Sequence, residues 1–407
     1  MKPASHTIIR LALIVFLLCL LSGTALAADV AADLTAKCKF STSVNSKKLR
    51  NMHNNNYQNY WEDEGKPGGD IQVKCPKGKP AQGVMLTLFK CNPVLRFEDA
   101  EGHLLAEYDQ PYATNWIAFS EPAETFVIRR TEGESLRISN IHVLGEGELP
   151  DWVQRWEPLE GDADLMLVST HPDDEILWFG GLLPTYAGER GLKVMVVYMV
   201  GGLNGMRTAE LLEGLWTMGV RQYPDIGDLP DKTGSSLVSA VAAWGGKDVA
   251  PTRVTAALRR YRPKVVVTQD INGEYGHFHH VITVQAVIDA VTRYGLDPAY
   301  DPASVEAYGV YAPQKLYLHL WKEGQIQFNW REPLSAFDGR TGLEVARSAF
   351  KKHVSQQNSR HKYQVLDRGR QDSRLFGLYY SNVGPDEALN DLFEHISLDM
   401  TSDEDDC

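Results

Sequence analysis

From Leu165 to Trp321 the chain alternates continuous apolar runs of strand length with stretches of helix length, and this alternation constrains the fold most. The runs are "LMLVST" (165–170), "KVMVVYMV" (193–200), "PKVVVTQD" (263–270) and "QKLYLHLW" (314–321). Strands apolar on every residue are buried on both faces, which calls for a parallel sheet with helices over each side. A helix-sized stretch from Pro172 to about Arg190 can supply the covering layers, with "MRTAELLEGLWTMGV" (206–220), "APTRVTAALRRYR" (250–262) and "HHVITVQAVIDAVTRYG" (279–295). The expected fold class of this half is α/β.

The preceding stretch has a different texture. Residues 28–158 break into short apolar pieces separated by turn residues, as in "GVMLTLFKCNPVLRFEDAEGHLLAEYD" (83–109), with little helical periodicity. A β-sandwich-like N-terminal domain of about eight strands is expected there, joined by the Pro- and Gly-bearing linker "GEGELPDWVQRWEPLEGDAD" (145–164) to a second domain over 159–400. At 407 residues the chain is long enough for two cores. Trp61, Trp116, Tyr57 and Tyr60 could line a sugar-binding face but read more readily as core or interface aromatics.

Residues 1–27 read as a signal peptide: Lys2 and Arg10 precede an apolar core from Leu11 to Leu21, and Ala25 and Ala27 suit a cleavage site. The expectation is an exported protein, secreted or periplasmic, with no integral membrane segment after cleavage. Cys38, Cys75, Cys91 and Cys407 then remain in an oxidising compartment, where a bridge among the first three is plausible and the sequence leaves the pairing open. Residues 401–407 form an acidic tail. A net charge of −12 argues against nucleic acid as a partner.

Two charged clusters follow strands directly: "HPDDE" (171–175) after "LMLVST", and "INGEYGHFHH" (271–280) after "KVVVTQD". In parallel sheets ligands sit outside the carboxyl ends of strands, so one site could use both clusters. Alone, "HPDDE" is also an ordinary helix start, with Pro at the first turn and acids facing the positive end. Paired with the histidines of the second cluster it suits zinc in its catalytic form, with two nitrogens, one oxygen and an open position for water. The adjacent Asp173 and Asp174 offer one ligand and one base, and His277 is placed to stabilise an oxyanion or deliver a proton. No Gly-x-Ser-x-Gly elbow appears, and "GGLNG" (201–205) lacks nucleotide-loop spacing.

From about Asp164 to Gly295 the chain resembles the zinc-dependent N-acetylglucosaminyl de-N-acetylases, the PIG-L or LmbE-like family, through "HPDDE", "GMRTAELLEGLWTMGV" and "GEYGHFHH" in order. "SAFKKHVSQ" (348–356) looks like the family's C-terminal helix. The resemblance implies a Rossmann-like parallel sheet and one zinc ion per chain held by His171, Asp174 and His280. It further implies Asp173 as general base, His277 as the histidine serving the tetrahedral intermediate, Arg207 as a substrate-binding group and Tyr275 as an active-site tyrosine. The family often has Asp or Asn before the last ligand, and this chain has His279. The activity implied is removal of acetyl from an N-acetylglucosamine-type sugar or glycoconjugate by zinc-bound water. Two alternatives remain: a zinc amidase acting on another amide, and a carbohydrate-binding protein with a decayed deacetylase domain.

Overall fold

A computed structural model describes residues 29–66, 68–201, 205–357 and 363–398. The expected leader and the acidic tail lie outside them, as do Cys19 and Cys407. Among the described residues no helix is long and apolar enough to cross a membrane.

The N-terminal region is strand-rich. Strands β1 (Lys39–Ser41), β2 (Trp61–Glu62), β3 (Ile71–Lys74), β4 (Ala81–Leu88), β5 (Pro93–Asp99), β6 (Leu104–Tyr108), β7 (Thr114–Ala123), β8 (Thr125–Gly133) and β9 (Arg137–Gly145) form two antiparallel sheets. Their orders are β1-β3-β8-β5-β6 and β2-β9-β4-β7. In β3, Ile71 and Val73 are buried while Gln72 and Lys74 are exposed, the two-residue alternation of a strand with one face inward. One apolar cluster takes Val73, Phe97 and Ile128 from the first sheet together with Leu86, Ile117 and Val143 from the second. Trp61 is fully buried in that cluster and donates its indole N–H to the Val44 carbonyl, so it packs the core and faces no sugar.

In the second half, a seven-stranded sheet runs in the spatial order β12 (Asp225–Leu229), β11 (Val194–Val200), β10 (Leu165–Ser169), β13 (Val265–Thr268), β14 (Lys315–His319), β16 (Leu375–Ser381) and β15 (Gln325–Gln327). The first five are mutually parallel. β16 joins antiparallel to both β14 and β15, so the sheet is mixed at one edge.

Successive residues of the central strands divide between two cores. Leu165, Leu167, Val196 and Val267 pack with Leu211 and Leu215 of the helix Gly205–Thr217 and with Ala346 of the helix Gly342–Phe350. Met166, Val168, Val197 and Val266 pack instead with Leu258 of the helix Val249–Tyr261 and Val287 of the helix Phe278–Asp289. Helices therefore cover both faces, and each fully buried Val or Leu contributes roughly 1.5–3 kcal/mol.

Two helices differ from expectation. The stretch from Pro172 to Arg190 is broken into a short helix Asp174–Leu177 and a π-helical turn Pro184–Glu189. Gly180 at φ 52 leaves the helical region between them, and a Cβ on Gly181 would sit 2.8 Å from the Trp330 ring. "SAFKKHVSQ" is split between the end of the helix Gly342–Phe350 and a turn Val354–Gln357.

Strand order steps from β10 to β11 and β12 on one side and from β13 to β14 on the other. The reversal falls between β10 and β13, where a crevice opens at the carboxyl ends. Both charged clusters emerge there.

Candidate metal and active site

His171 leaves β10 one residue beyond Thr170, and the short helix that follows starts at Asp174. Asp173, between them, has φ 121, a conformation rare outside glycine and characteristic of strained functional turns. Its amide donates to Glu175 Oε2 at 2.8 Å, which holds the turn. Glu175 therefore braces the turn from a fully buried position.

Asp174 is aimed by its neighbours. Trp178 Nε1 donates to Oδ1 at 2.7 Å, and Gln269 Nε2 and the His171 amide donate to Oδ2 at 3.2 and 2.8 Å. That leaves Oδ2 3.1 Å from His171 Nδ1 and 3.1 Å from His280 Nε2, while the two imidazole nitrogens are 3.2 Å apart. Three donors at the corners of a near-equilateral triangle of this size share a point about 2 Å from each, the length of a Zn–N or Zn–O bond. The donor set, two imidazoles and a carboxylate, is that of a catalytic zinc site. His171, Asp174 and His280 thus fit the ion.

Electrostatics point the same way. Burial disfavours charge on Asp174, but His280 and His171 hold it well below the usual carboxylate range. His280 is pushed up to about 10: burial lowers it, and Asp174 and Glu274 outweigh burial. Negative charge that strengthens a proton on His280 also strengthens a cation that replaces it.

Glu274 completes the arrangement, and its role was not read from the sequence. Fully buried, it accepts from His280 Nδ1 at 2.7 Å through Oε2, leaving Nε2 free to bind a cation. Its Oε1 accepts from the Asp270 amide at 2.8 Å and lies 3.3 Å from Nδ1 of the buried His319. The reach back from 274 to 280 uses a left-handed turn, with Glu274 at φ 56. A lone acid three residues before His277, the first histidine of "GEYGHFHH", was the available signal. Asp231, in the loop after β12, was also missed; its Oδ1 lies 3.5 Å from His171 Nε2.

The cleft over the triangle holds about 320 Å³ and is lined by Asp173, Arg207, Asp231, Tyr275 and His277 among others. Burial pushes the Asp173 carboxyl up to about 7 against the pull of the Arg207 guanidinium, and Asp174 adds to the rise. Arg207 Nη2 is 3.6 Å from Asp173 Oδ2, and the same group bonds to the Pro172 carbonyl and to Ser355 Oγ. Glu210, one turn along the helix, binds the Ser355 amide and hydroxyl at 2.7 and 2.6 Å. Tyr275 is half exposed at the rim, its ring 5.7 Å from those of His277 and His280.

His277 is pushed down to about 3 by burial, and then by the His280 and His171 charges. Its Nδ1 has no hydrogen-bond partner among the described residues. His279 stacks on Trp244 at 4.6 Å and brings Nδ1 to 3.3 Å from His171 Nε2, on the far side of that ring from the triangle. A second grouping, His171, His277 and His279, also brings ligand nitrogens within 4.8 Å of one another, with the Asp231 carboxylate 3.5 Å from His171 Nε2 and 3.8 Å from His279 Nδ1. A larger cavity of about 540 Å³ lies elsewhere, beside Phe328 and Trp330, with its Arg190 and Asp391 already paired.

Residues 166–291 match the family model described as PIG-L: GlcNAc-PI de-N-acetylase. A 1D-myo-inositol 2-acetamido-2-deoxy-alpha-D-glucopyranoside deacetylase of Saccharopolyspora erythraea is 32% identical over 163 residues, covering 32% of this chain and 54% of the relative. The chain thus spans about half the length of that relative. A deacetylase of the same name from Rhodococcus erythropolis is 31% identical over 208 residues, covering 42% of this chain and 68% of the relative. The N,N'-diacetylchitobiose deacetylase structure from Pyrococcus horikoshii is 19% identical over 50% of this chain and 73% of its own, at a TM-score of 0.37. With the family's motifs gathered at one cleft and a relative above 30% identity matched over two thirds of its length, this chain belongs to the PIG-L, or LmbE-like, family of de-N-acetylases.

Proposed function

We propose that this chain is an exported zinc-dependent hydrolase that removes the acetyl group from an N-acetylglucosamine-type sugar or glycoconjugate. The single observation that carries the reading is the convergence of His171 Nδ1, Asp174 Oδ2 and His280 Nε2 beneath a cleft lined by Asp173 and His277. The curated relatives' names specify a 2-acetamido-2-deoxyglucopyranoside, which supports an acetamido sugar as substrate. The first 27 residues support export. A Rossmann-like reading of the parallel strands and a sandwich-like reading of the two N-terminal sheets belong to the same proposal.

When bound by His171, Asp174 and His280, zinc supplies Lewis acidity and brings the pKa of a water to about 7. Asp173, poised near neutrality, takes a proton from the water that attacks the acetamide carbonyl. His277 is neutral at the working pH, so it serves the developing oxyanion by donating an N–H hydrogen bond and keeps its own proton. Asp173 then hands its proton to the nitrogen as the C–N bond breaks, giving acetate and a free amine. Arg207 holds the Asp173 carboxylate in place, and Tyr275 at the rim orients the sugar.

The test couples metal analysis of the purified chain to acetate release over a panel of N-acetylated sugars and unrelated amides. Stoichiometric zinc with acetate released from acetamido sugars is expected. Turnover confined to other amides overturns the substrate assignment, and glycan binding without zinc or turnover overturns the enzyme.

A further inference from the structure

We propose that Cys38 and Cys75 form an intrachain disulfide that fastens the loop between them against the helix carrying Arg207. The inference is independent of the hydrolase reading. β1 and β3 pair antiparallel with Lys39 opposite Lys74, so Cys38 and Cys75 stand one step further along the same register. Directly opposed residues in antiparallel strands have Cα atoms about 4.5–5.5 Å apart, inside the span a disulfide bridges. The two sulfurs lie 3.6 Å apart, so closure needs only small side-chain rotations.

Cys91 is set apart. Its sulfur accepts from the Arg137 amide at 3.3 Å and lies 3.5 Å from the Arg137 carbonyl, and burial pushes the thiol up to about 11. It remains a thiol. By contrast, the Cys38 thiol donating toward Cys75 holds the Cys75 thiol below the ordinary cysteine range, which favours the thiolate.

Closure balances as thiol–disulfide exchange with a small organic disulfide R–S–S–R. Cys38, half-buried where Cys75 is buried, is the sulfur an oxidant reaches: it gives up its proton as it attacks one sulfur and expels R–S⁻, leaving a mixed disulfide. Cys75 Sγ then attacks the Cys38 sulfur, the Cys38–SR bond breaks and the second R–S⁻ leaves. The protein gives up two electrons and two protons, and the oxidant becomes two R–SH.

The closed segment, 38–75, carries two contacts to the helix that bears Arg207. Tyr57 Oη donates to Glu213 at 2.6 Å, and Gln58 Nε2 reaches Met206 Sδ at 3.3 Å. Both partners lie on Gly205–Thr217, and Met206 adjoins Arg207. Gly205 at the start of this helix touches Phe89 so closely that a Cβ there would lie 2.3 Å from the ring. A bridge at 38–75 limits how far the loop can swing from that helix.

The test uses the full wild-type chain with 2-hydroxyethyl disulfide as oxidant, then denaturation, alkylation, digestion and mass analysis. The expected result is a Cys38 peptide joined to a Cys75 peptide, with Cys91 alkylated and the link lost after dithiothreitol. Alkylation of both Cys38 and Cys75 under oxidant, or a link from either to Cys91, overturns the pairing. Hydrogen exchange over residues 46–60 should slow by about tenfold on oxidation, and equal rates in both redox forms overturn the fastening.

Discussion

Replacing Glu274 with Gln isolates the contribution of a single oxygen to the metal site. Gln keeps the volume of this fully buried side chain, so packing is preserved and hydrogen bonding is not. In the native chain one carboxylate oxygen accepts from His280 Nδ1 and the other from the Asp270 amide. An amide has one oxygen to offer. If it faces Asp270, its NH2 donates to His280 Nδ1 and moves the imidazole proton to Nε2, the atom that faces His171 and Asp174. If it faces His280 instead, the NH2 opposes the Asp270 N–H and a buried donor loses its acceptor, at about 1–3 kcal/mol. Either outcome weakens the cation site by the 10- to 100-fold typical of losing a carboxylate behind a ligand histidine, about 1.4–2.7 kcal/mol. The assay is competition with a chromophoric chelator for Zn²⁺ at one fixed pH, with thermal unfolding in excess chelator to show that the variant folds. A zinc Kd within about twofold of wild type in a folded variant would refute the role given to Glu274.

Asp173→Asn should retain zinc and lose acetate release by roughly 10²–10⁴-fold, and an unchanged rate removes Asp173 from the proton transfer. His171→Ala should strip the metal, with full occupancy by elemental analysis as the contrary result. His280 is pushed up to about 10, so at neutral pH it carries a proton that the cation must displace. Zinc binding should therefore tighten as pH rises, weaken as pH falls, and release about one proton from this residue, read as a buffer-dependent enthalpy in calorimetry. A pH-independent affinity contradicts this. Asp231→Asn should weaken zinc less than Glu274→Gln, because Asp231 is 45% exposed and 3.5 Å from His171 Nε2, and the same competition assay ranks the two.

Much of the α/β half was legible because its information is local. Five-residue runs such as "LMLVS" are buried at every position and need both faces covered wherever they lie in the sheet. The clusters after β10 and β13 were legible as one site for the same reason, since loops at strand carboxyl ends meet at the crevice. The antiparallel edge formed by β16 was not legible, because strand direction depends on partners distant in the chain.

At residue level the division is sharper. The motif supplied His171, Asp174 and two adjacent histidines, of which the resemblance picked His280; the phase of the helix Phe278–Asp289 against β10 turns that residue to the triangle and stacks His279 on Trp244. Glu274 reaches His280 through a left-handed turn that periodicity does not record, since one residue's φ leaves no repeat. Trp61 and the cysteine pairing follow the same logic: burial and register come from strands that close on one another over dozens of residues. Local pattern specifies which surface an element must hide, and long-range packing specifies what it is hidden against.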